Sequence, residues 1–366
     1  MTCIAITANT RPIWQPFFDG VRTRPRDAWL DWYGWALPVA ISPEVAAANA
    51  RLGTRWASEP YAEFAQKIGR LLLPVEQTFD ARTADHAVER LKNLDARPFM
   101  LTCSFNYPHD PNVVPSPYYE SVSPDAIELP ASFGVREPSV EDHWARRVAR
   151  DLGDAAVREY LRIYYASCML VDDQVGRVLE ALDTSGRARD TIVIFTADHG
   201  DMTGNHGMVL KGGFFYDELM RVPMIVRYPP KLPPGRSRLS CSLADLMPTI
   251  LSLTEQPIPE HVQGIDLSPW LVGERRTPQP PQYSFGEIVS PHPEHRRAVE
   301  PGRKAHFMVR GQGYKYARYA DGEEWLFDLN GDPRETHNLA SVPAYADQRE
   351  ALSHRLDEWL EETSFP

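Results

Sequence analysis

The 366-residue sequence predicts an α/β fold: a doubly wound mixed sheet flanked by helices, then a small antiparallel sheet with one covering helix. Three observations carry that reading. The run Ile192-Val193-Ile194-Phe195 is apolar throughout and rich in β-branched residues, without the alternation of a half-exposed strand. Such a run reads as a strand covered on both faces. Helical and strand patterns alternate through the middle of the chain, the rhythm of a doubly wound domain. After the proline-rich residues 277–282, short runs alternate apolar and polar, as antiparallel strands do. The expected division is 1–276 for the α/β domain and 277–366 for the C-terminal subdomain.

Composition narrows the function classes. A formal charge of −11 argues against a nucleic-acid groove or an anionic membrane surface as the main partner. Cys3, Cys103, Cys168 and Cys241 lie far apart without C-x-x-C spacing, so neither a disulfide scaffold nor a zinc finger is expected. No apolar run approaches the ~18 residues that span a bilayer. The first residues, MTCIAITANTRPIW, lack the basic and apolar regions of a signal peptide, which implies a cytoplasmic protein if Met1 is the true start.

In chain order, residues 1–75 show weak periodicity and many aromatics, among them Trp14, Phe17, Phe18, Trp29, Trp32, Tyr33 and Trp35. Such clusters read as core and lid-like loops. Residues 80–95 form an amphipathic pattern with Ala84, Ala87, Val88 and Leu91 on one face. A second buried-strand candidate follows at 97–105 and ends in Asn106-Tyr107-Pro108-His109-Asp110-Pro111. Residues 112–155 read as a long excursion. Helical spacing returns over 160–182, through Ile163, Ser167, Leu170, Val171, Val175, Val178 and Leu182. Asp172 and Asp173 sit mid-helix on adjacent faces and read as structural or as supports for a site.

The strand at 191–197 ends in Asp198-His199-Gly200-Asp201, and a second β-like run occupies 223–226. Residues 245–253 read as a helix with Asp245 at its N-terminus, where negative charge suits the dipole. Strands are expected at 307–310, 314–319 and 325–329, a turn at 330–333 and a last helix over 345–360. Open α/β sheets build their sites beyond the carboxyl ends of their strands. A carboxylate and an imidazole released there, followed by glycines and a lysine, look like a metal and anion site.

The segment 191–229 resembles the sulfatase family of the alkaline-phosphatase-like superfamily, which includes arylsulfatases and phosphonate monoester hydrolases. The residues that carry the resemblance are Asp198, His199, Gly200, Asp201, Gly204, His206, Gly207, Lys211 and Arg221-Val222-Pro223. The strand ending in Tyr107-Pro108-His109-Asp110-Pro111, the Val171-Asp172-Asp173-Gln174-Val175-Gly176 helix and the segment 314–340 also match. The resemblance implies hydrolysis of a small-molecule sulfate ester, or alternatively of a phosphonate or phosphate mono- or diester. A third alternative is a binding protein that keeps the fold without the chemistry.

By resemblance, His109 contacts the transferred group, Lys211 binds the ester oxygens, and Asp198 and His199 are metal ligands. Ester cleavage of this kind needs a divalent cation, fixed positive groups and an in-line nucleophile. Relatives with asparagine in place of His199 offer an all-oxygen set that suits Ca2+. Imidazole widens the choice towards Mn2+. His206 reads either as an orienting partner of the metal site or as packing, and Arg221 as structural.

The sequence departs from the family at the nucleophile. Relatives convert a cysteine or serine in C/S-x-P-x-R to formylglycine, and that precursor motif does not occur in this chain. Cys3 stands in Cys-Ile-Ala-Ile-Thr, without proline or arginine at the needed spacing. The family strand that gives further aspartates to the metal is also missing, so the resemblance runs from about residue 75 to the end. The expectations are an α/β domain lacking its usual N-terminal part, a central sheet missing its first strand and left with an unpaired edge, and impaired hydrolysis.

Overall fold

The computed structural model describes residues 2–8, 37–57, 67–135, 140, 143–273, 279–288 and 305–363, with backbone alone for 2–8 and 54–57. Contacts divide the chain into two units. The first comprises Met1–Arg136, Trp144–Leu210 and Val222–Pro230; the second comprises Glu137–His143, Lys211–Arg221 and Lys231–Pro366. Residues 231–273 thus group with the C-terminal strands, while the expected boundary at 276/277 lies outside the described residues. The aromatics from Trp14 to Trp35 also lie outside them.

In the first unit the chain runs β1 (Thr2–Ala8), β2 (Val39–Ile41), α1 (Pro43–Ala57), β3 (Gly69–Leu71), α2 (Phe79–Lys92), β4 (Phe99–Phe105) and β5 (Val113–Pro115). It continues through α3 (Tyr118–Ser121), α4 (Trp144–Leu152), α5 (Asp154–Thr184), β6 (Thr191–Ala197) and β7 (Met224–Arg227). Strands β2, β3 and β5 make a small sheet, antiparallel between β2 and β3 and parallel between β3 and β5. The central sheet has the order β4-β1-β6-β7.

The place of β1 corrects the expected gap. Its backbone pairs antiparallel with β4 on one side and β6 on the other, so Cys-Ile-Ala-Ile-Thr is a strand inside the sheet. The apolar, β-branched composition of residues 3–7 accounts for that propensity. Among the described residues, the sheet edges are β4 and β7. This explains a second difference: β4 is buried only in its second half, at Cys103 and Phe105, while Met100 is 41% exposed. Strand β6 is covered on both faces as its sequence requires, because the consecutive residues Ile192, Val193 and Ile194 are all buried.

Helix α2 begins at Thr78, whose hydroxyl accepts the Ala81 N–H at 3.2 Å, a standard N-cap. Asp80 in its first turn and Arg90 and Lys92 in its last complement the dipole. Its buried stripe, Ala81, Ala84, Ala87 and Leu91, packs beside α5 and β4. The long helix α5 extends the expected 160–182 at its N-terminal end and buries Ile163, Leu170, Val178 and Leu182.

The second unit carries α6 (Asp217–Met220), α7 (Leu246–Leu253), α8 (Ser268–Leu271), β8 (Tyr283–Ile288), β9 (His306–Gly311), β10 (Tyr314–Arg318), β11 (Glu324–Asp328) and α9 (Ala346–Glu362). The sheet order is β11-β10-β9-β8, antiparallel throughout. The β9–β10 turn is Gln312-Gly313, both with positive φ (53° and 83°), which matches the twist of a two-residue hairpin. Helix α9 sets Leu352 and Leu356 against Val309, Tyr316 and Leu326, and Trp359 stacks on Phe285 at 4.8 Å. Asp245, just before α7, accepts the N–H groups of Ser242 and Ile265, each at 2.7 Å.

Candidate active site

Strands β4 and β6 each run antiparallel to β1, so they run in the same direction and end at the same edge of the sheet. Phe105 and Ala197, their last residues, both stand opposite Thr2. Adjacent strands are ~4.8 Å apart, so the two chain exits lie at one level, about 10 Å from each other. The segments carrying His109 and Asp198 leave the sheet there.

The β4 exit is fastened by a carboxylate that sequence reasoning passed over. Asp80, wholly buried in the first turn of α2, accepts the N–H groups of Asn106 at 2.6 Å and Tyr107 at 3.1 Å through one oxygen. Burial and the Asp80 charge hold the Tyr107 phenol well above its ordinary range. The chain then turns, with the His109 N–H donating to the Asn106 carbonyl at 3.0 Å. His109 Nδ1 lies 2.8 Å from the Asp110 carbonyl oxygen and 2.9 Å from its Oδ1. Both are acceptors, so Nδ1 carries the proton, and in the neutral ring Nε2 holds the electron pair.

At the β6 exit, Asp198 and His199 are both partly exposed. Asp198 Oδ1 accepts the His199 N–H at 2.9 Å, and His199 Nδ1 lies 2.8 Å from the Gly200 carbonyl. In the neutral ring Nδ1 is therefore the donor. Nε2, 3.7 Å from Asp198 Oδ2, then carries the electron pair. The two side chains present an oxygen and a nitrogen donor side by side.

Asp201 turns inward. Its Oδ1 accepts the Tyr160 hydroxyl at 2.7 Å and the Thr203 N–H at 2.9 Å. The loop then folds back, Met202 N–H to Leu210 O and Gly204 N–H to Met208 O, each at 2.8 Å. Met202, Met208 and Val209 are fully buried. His206 is 1% exposed, with its carbonyl taking the Arg146 Nη1–H at 2.6 Å. Gly207, at φ +65°, has no room for a side chain: a Cβ would lie 2.9 Å from the Phe133 carbonyl oxygen. Gly207 thus lets the loop pass close to Phe133, and the His206 side chain lies buried within it.

Lys211 follows directly and is partly buried in the second unit. Arg221 is exposed and ion-pairs with Asp217 at 3.6 Å. Asp173 accepts the Tyr118 hydroxyl at 2.5 Å, a tie between α5 and α3. Among the described residues no group of three or more His, Cys, Asp or Glu side chains gathers as a metal cluster would. Asp198 and His199 supply two donors where Ca2+ takes six to eight. The described residues therefore do not by themselves complete a site for the divalent ion that the resemblance implies.

Asp80, Asp110, Arg146 and Tyr160 were not singled out from sequence. Only Asp110 carried a signal, its place beside His109; the others act across 26 to 60 residues of chain.

A family model described as Sulfatase matches residues 43–256, and one described as N-sulphoglucosamine sulphohydrolase, C-terminal, matches residues 204–362. The chain is similar to the N-acetylglucosamine-6-O-sulfatase of Bacteroides thetaiotaomicron, 32% identical over 244 residues, which covers 61% of this chain and 42% of that protein. It is also similar to the Delta 4,5-hexuronate-2-O-sulfatase of the same organism, 33% identical over 285 residues, with 73% of this chain and 58% of that protein covered. Among solved structures, the phosphonate monoester hydrolase of Silicibacter pomeroyi superposes with a TM-score of 0.73 at 25% identity, over 92% of this chain and 68% of that one. The chain thus spans about half the length of these two curated relatives.

Proposed function

Because the chain belongs to the sulfatase family, we propose that its site is built for hydrolysis of small-molecule sulfate esters with the help of a divalent cation. The observation that carries this reading is the common level of the two strand ends, which release His109 and the Asp198–His199 pair at one edge of the sheet. In this reading His109, its Nδ1 held by Asp110, turns Nε2 towards the ester group and exchanges a hydrogen bond with it. The Lys211 ammonium holds the ester oxygens as a fixed positive charge. Asp198 and His199 give two ligands to Ca2+ or Mn2+, whose role when bound is to neutralise the nonbridging oxygens. The remaining ligands are not among the described residues.

The 366 residues contain no C/S-x-P-x-R segment. We therefore propose that hydrolysis by this chain alone is impaired, because the segment that forms the covalent intermediate in the family is missing from it.

A second reading, hydrolysis of phosphonate or phosphate esters, is favoured by the superposition on the phosphonate monoester hydrolase over 92% of the chain. The two readings separate in one assay. Protein isolated from its source organism is given an aryl sulfate and an aryl phosphonate monoester with Ca2+ or Mn2+. A higher kcat/KM for the sulfate supports the first reading, a higher value for the phosphonate replaces it with the second, and turnover of neither ester by protein whose peptides include a C/S-x-P-x-R segment refutes both.

A further inference from the structure

We propose that Tyr160 is a positioning residue that fixes, through Asp201, the backbone from which Asp198 and His199 project. The inference rests on the reading of Asp198 and His199 as ligand-binding groups. Tyr160 lies in α5 and is fully buried. Its hydroxyl donates to Asp201 Oδ1 at 2.7 Å and accepts the Leu210 N–H at 3.4 Å. One phenol therefore ties together the beginning and the end of the 201–210 loop. Burial and the Asp201 charge keep it in the hydroxyl form over the ordinary pH range, so both bonds persist.

The loop needs such a pin. Thr203, His206 and Leu210 all have left-handed backbones, with φ of 43°, 53° and 61°. Each such backbone is strained and persists only where its surroundings over-determine it. Two long side chains from neighbouring helices reach this loop, beside its own backbone hydrogen bonds. Arg146 holds the His206 carbonyl from α4, and Tyr160 holds Asp201 and Leu210 from α5. Asp201 stands two residues after His199, whose ring is oriented by the Gly200 carbonyl between them. Loss of the Tyr160 bond lets Asp201 and Gly200 rotate, and the His199 ring loses its fixed acceptor. An ordinary core tyrosine would affect stability and leave that ring unchanged.

The test is the tautomer of the His199 imidazole, read by 15N NMR at a pH where the ring is neutral and assigned by comparison with His199→Gln. The full chain is expected to show the Nδ1–H tautomer. Tyr160→Phe, which keeps the ring but removes the hydroxyl, is expected to give a mixture of tautomers while thermal unfolding remains cooperative. Asp201→Asn keeps an acceptor oxygen and is expected to retain the single tautomer, whereas Asp201→Ala is expected to reproduce the mixture. An unchanged His199 signature in both Tyr160→Phe and Asp201→Ala would overturn the proposal. The reading beneath it is checked separately in the unmutated chain by adding Mn2+. If the His199 signals are not broadened, Asp198 and His199 are not the ligand pair, whatever Tyr160→Phe does.

Discussion

Phe105 and Ala197 stand in one row of the central sheet, each opposite Thr2 of the strand between them. Ninety-two positions separate them in the chain, yet β1 brings their ends to one level. The candidate site therefore depends on a strand that lies far in sequence from every residue proposed to act.

Strand β1 is paired on both sides, and Ala5 faces Thr102 and Ile194. A proline there removes a ladder N–H and forces the backbone of a central strand. Ala5→Pro is expected to cost about 3 kcal/mol or more, seen as a lower urea midpoint. An unchanged midpoint would show that β1 does not hold β4 and β6 together.

Asp80 anchors the β4 exit. In Asp80→Ala the Asn106 and Tyr107 amides lose a buried anionic acceptor, with an expected loss of about 2–4 kcal/mol. Asp80→Asn keeps one acceptor oxygen and should lose clearly less. Equal losses in the two variants, measured by urea unfolding, would mean that the charge and not the hydrogen bonds does the anchoring.

Two glycines should respond with opposite sign. Gly207→Ala meets the Phe133 carbonyl at a left-handed backbone and is expected to destabilise by about 1–3 kcal/mol. Gly176 lies within α5 with nothing within 4 Å of a new Cβ, so Gly176→Ala should stabilise by about 0.5–1 kcal/mol. Thermal unfolding of both variants reads the contrast.

The second unit should lose stability as the pH rises towards neutrality. Lys315 Nζ contacts Glu335 and lies 2.7 Å from Asp217, while Glu335 Oε2 accepts the Asp217 N–H at 2.6 Å. Arg310 faces Asp217 at 3.2 Å, and the largely buried Glu218 adjoins it in the chain. Burial pushes the Glu335 carboxyl up to about 7 against the pull of Lys315. Burial would raise Asp217 too, but Lys315 and Arg310 hold it below the usual carboxylate range.

A folded-state value above the unfolded one means that the Glu335 contribution is complete below the ordinary carboxyl range and is lost as pH rises through about 7. Asp217 acts oppositely, and its contribution is lost only in acid. Unfolding midpoints measured from about pH 5 to 7 should therefore fall, and Glu335→Gln should flatten that fall. A slope unchanged in Glu335→Gln would place the titration elsewhere.

Much of the frame was legible. The unbroken run 192–195 and the three-and-four spacing of α5 depend on burial patterns that local sequence records directly; the strands before α9 were legible in place, although β10 and β11 each bury three consecutive residues where alternation was expected. The pairing of β1 was not legible, because seven residues of apolar strand say nothing about which partners they meet. Nor were the clamps legible, since a buried Asp80 or Tyr160 has the same local sequence as an exposed one. Lys211 and His109 were marked by the glycines and prolines around them, but their chemistry is a matter for assay.

The most direct test of the account is turnover of an aryl sulfate by the purified 366-residue chain with saturating Ca2+ or Mn2+. The account predicts none above background, because the chain holds no C/S-x-P-x-R nucleophile. Metal-dependent turnover that disappears in Lys211→Ala would contradict it, and would show that another group in this chain attacks the ester.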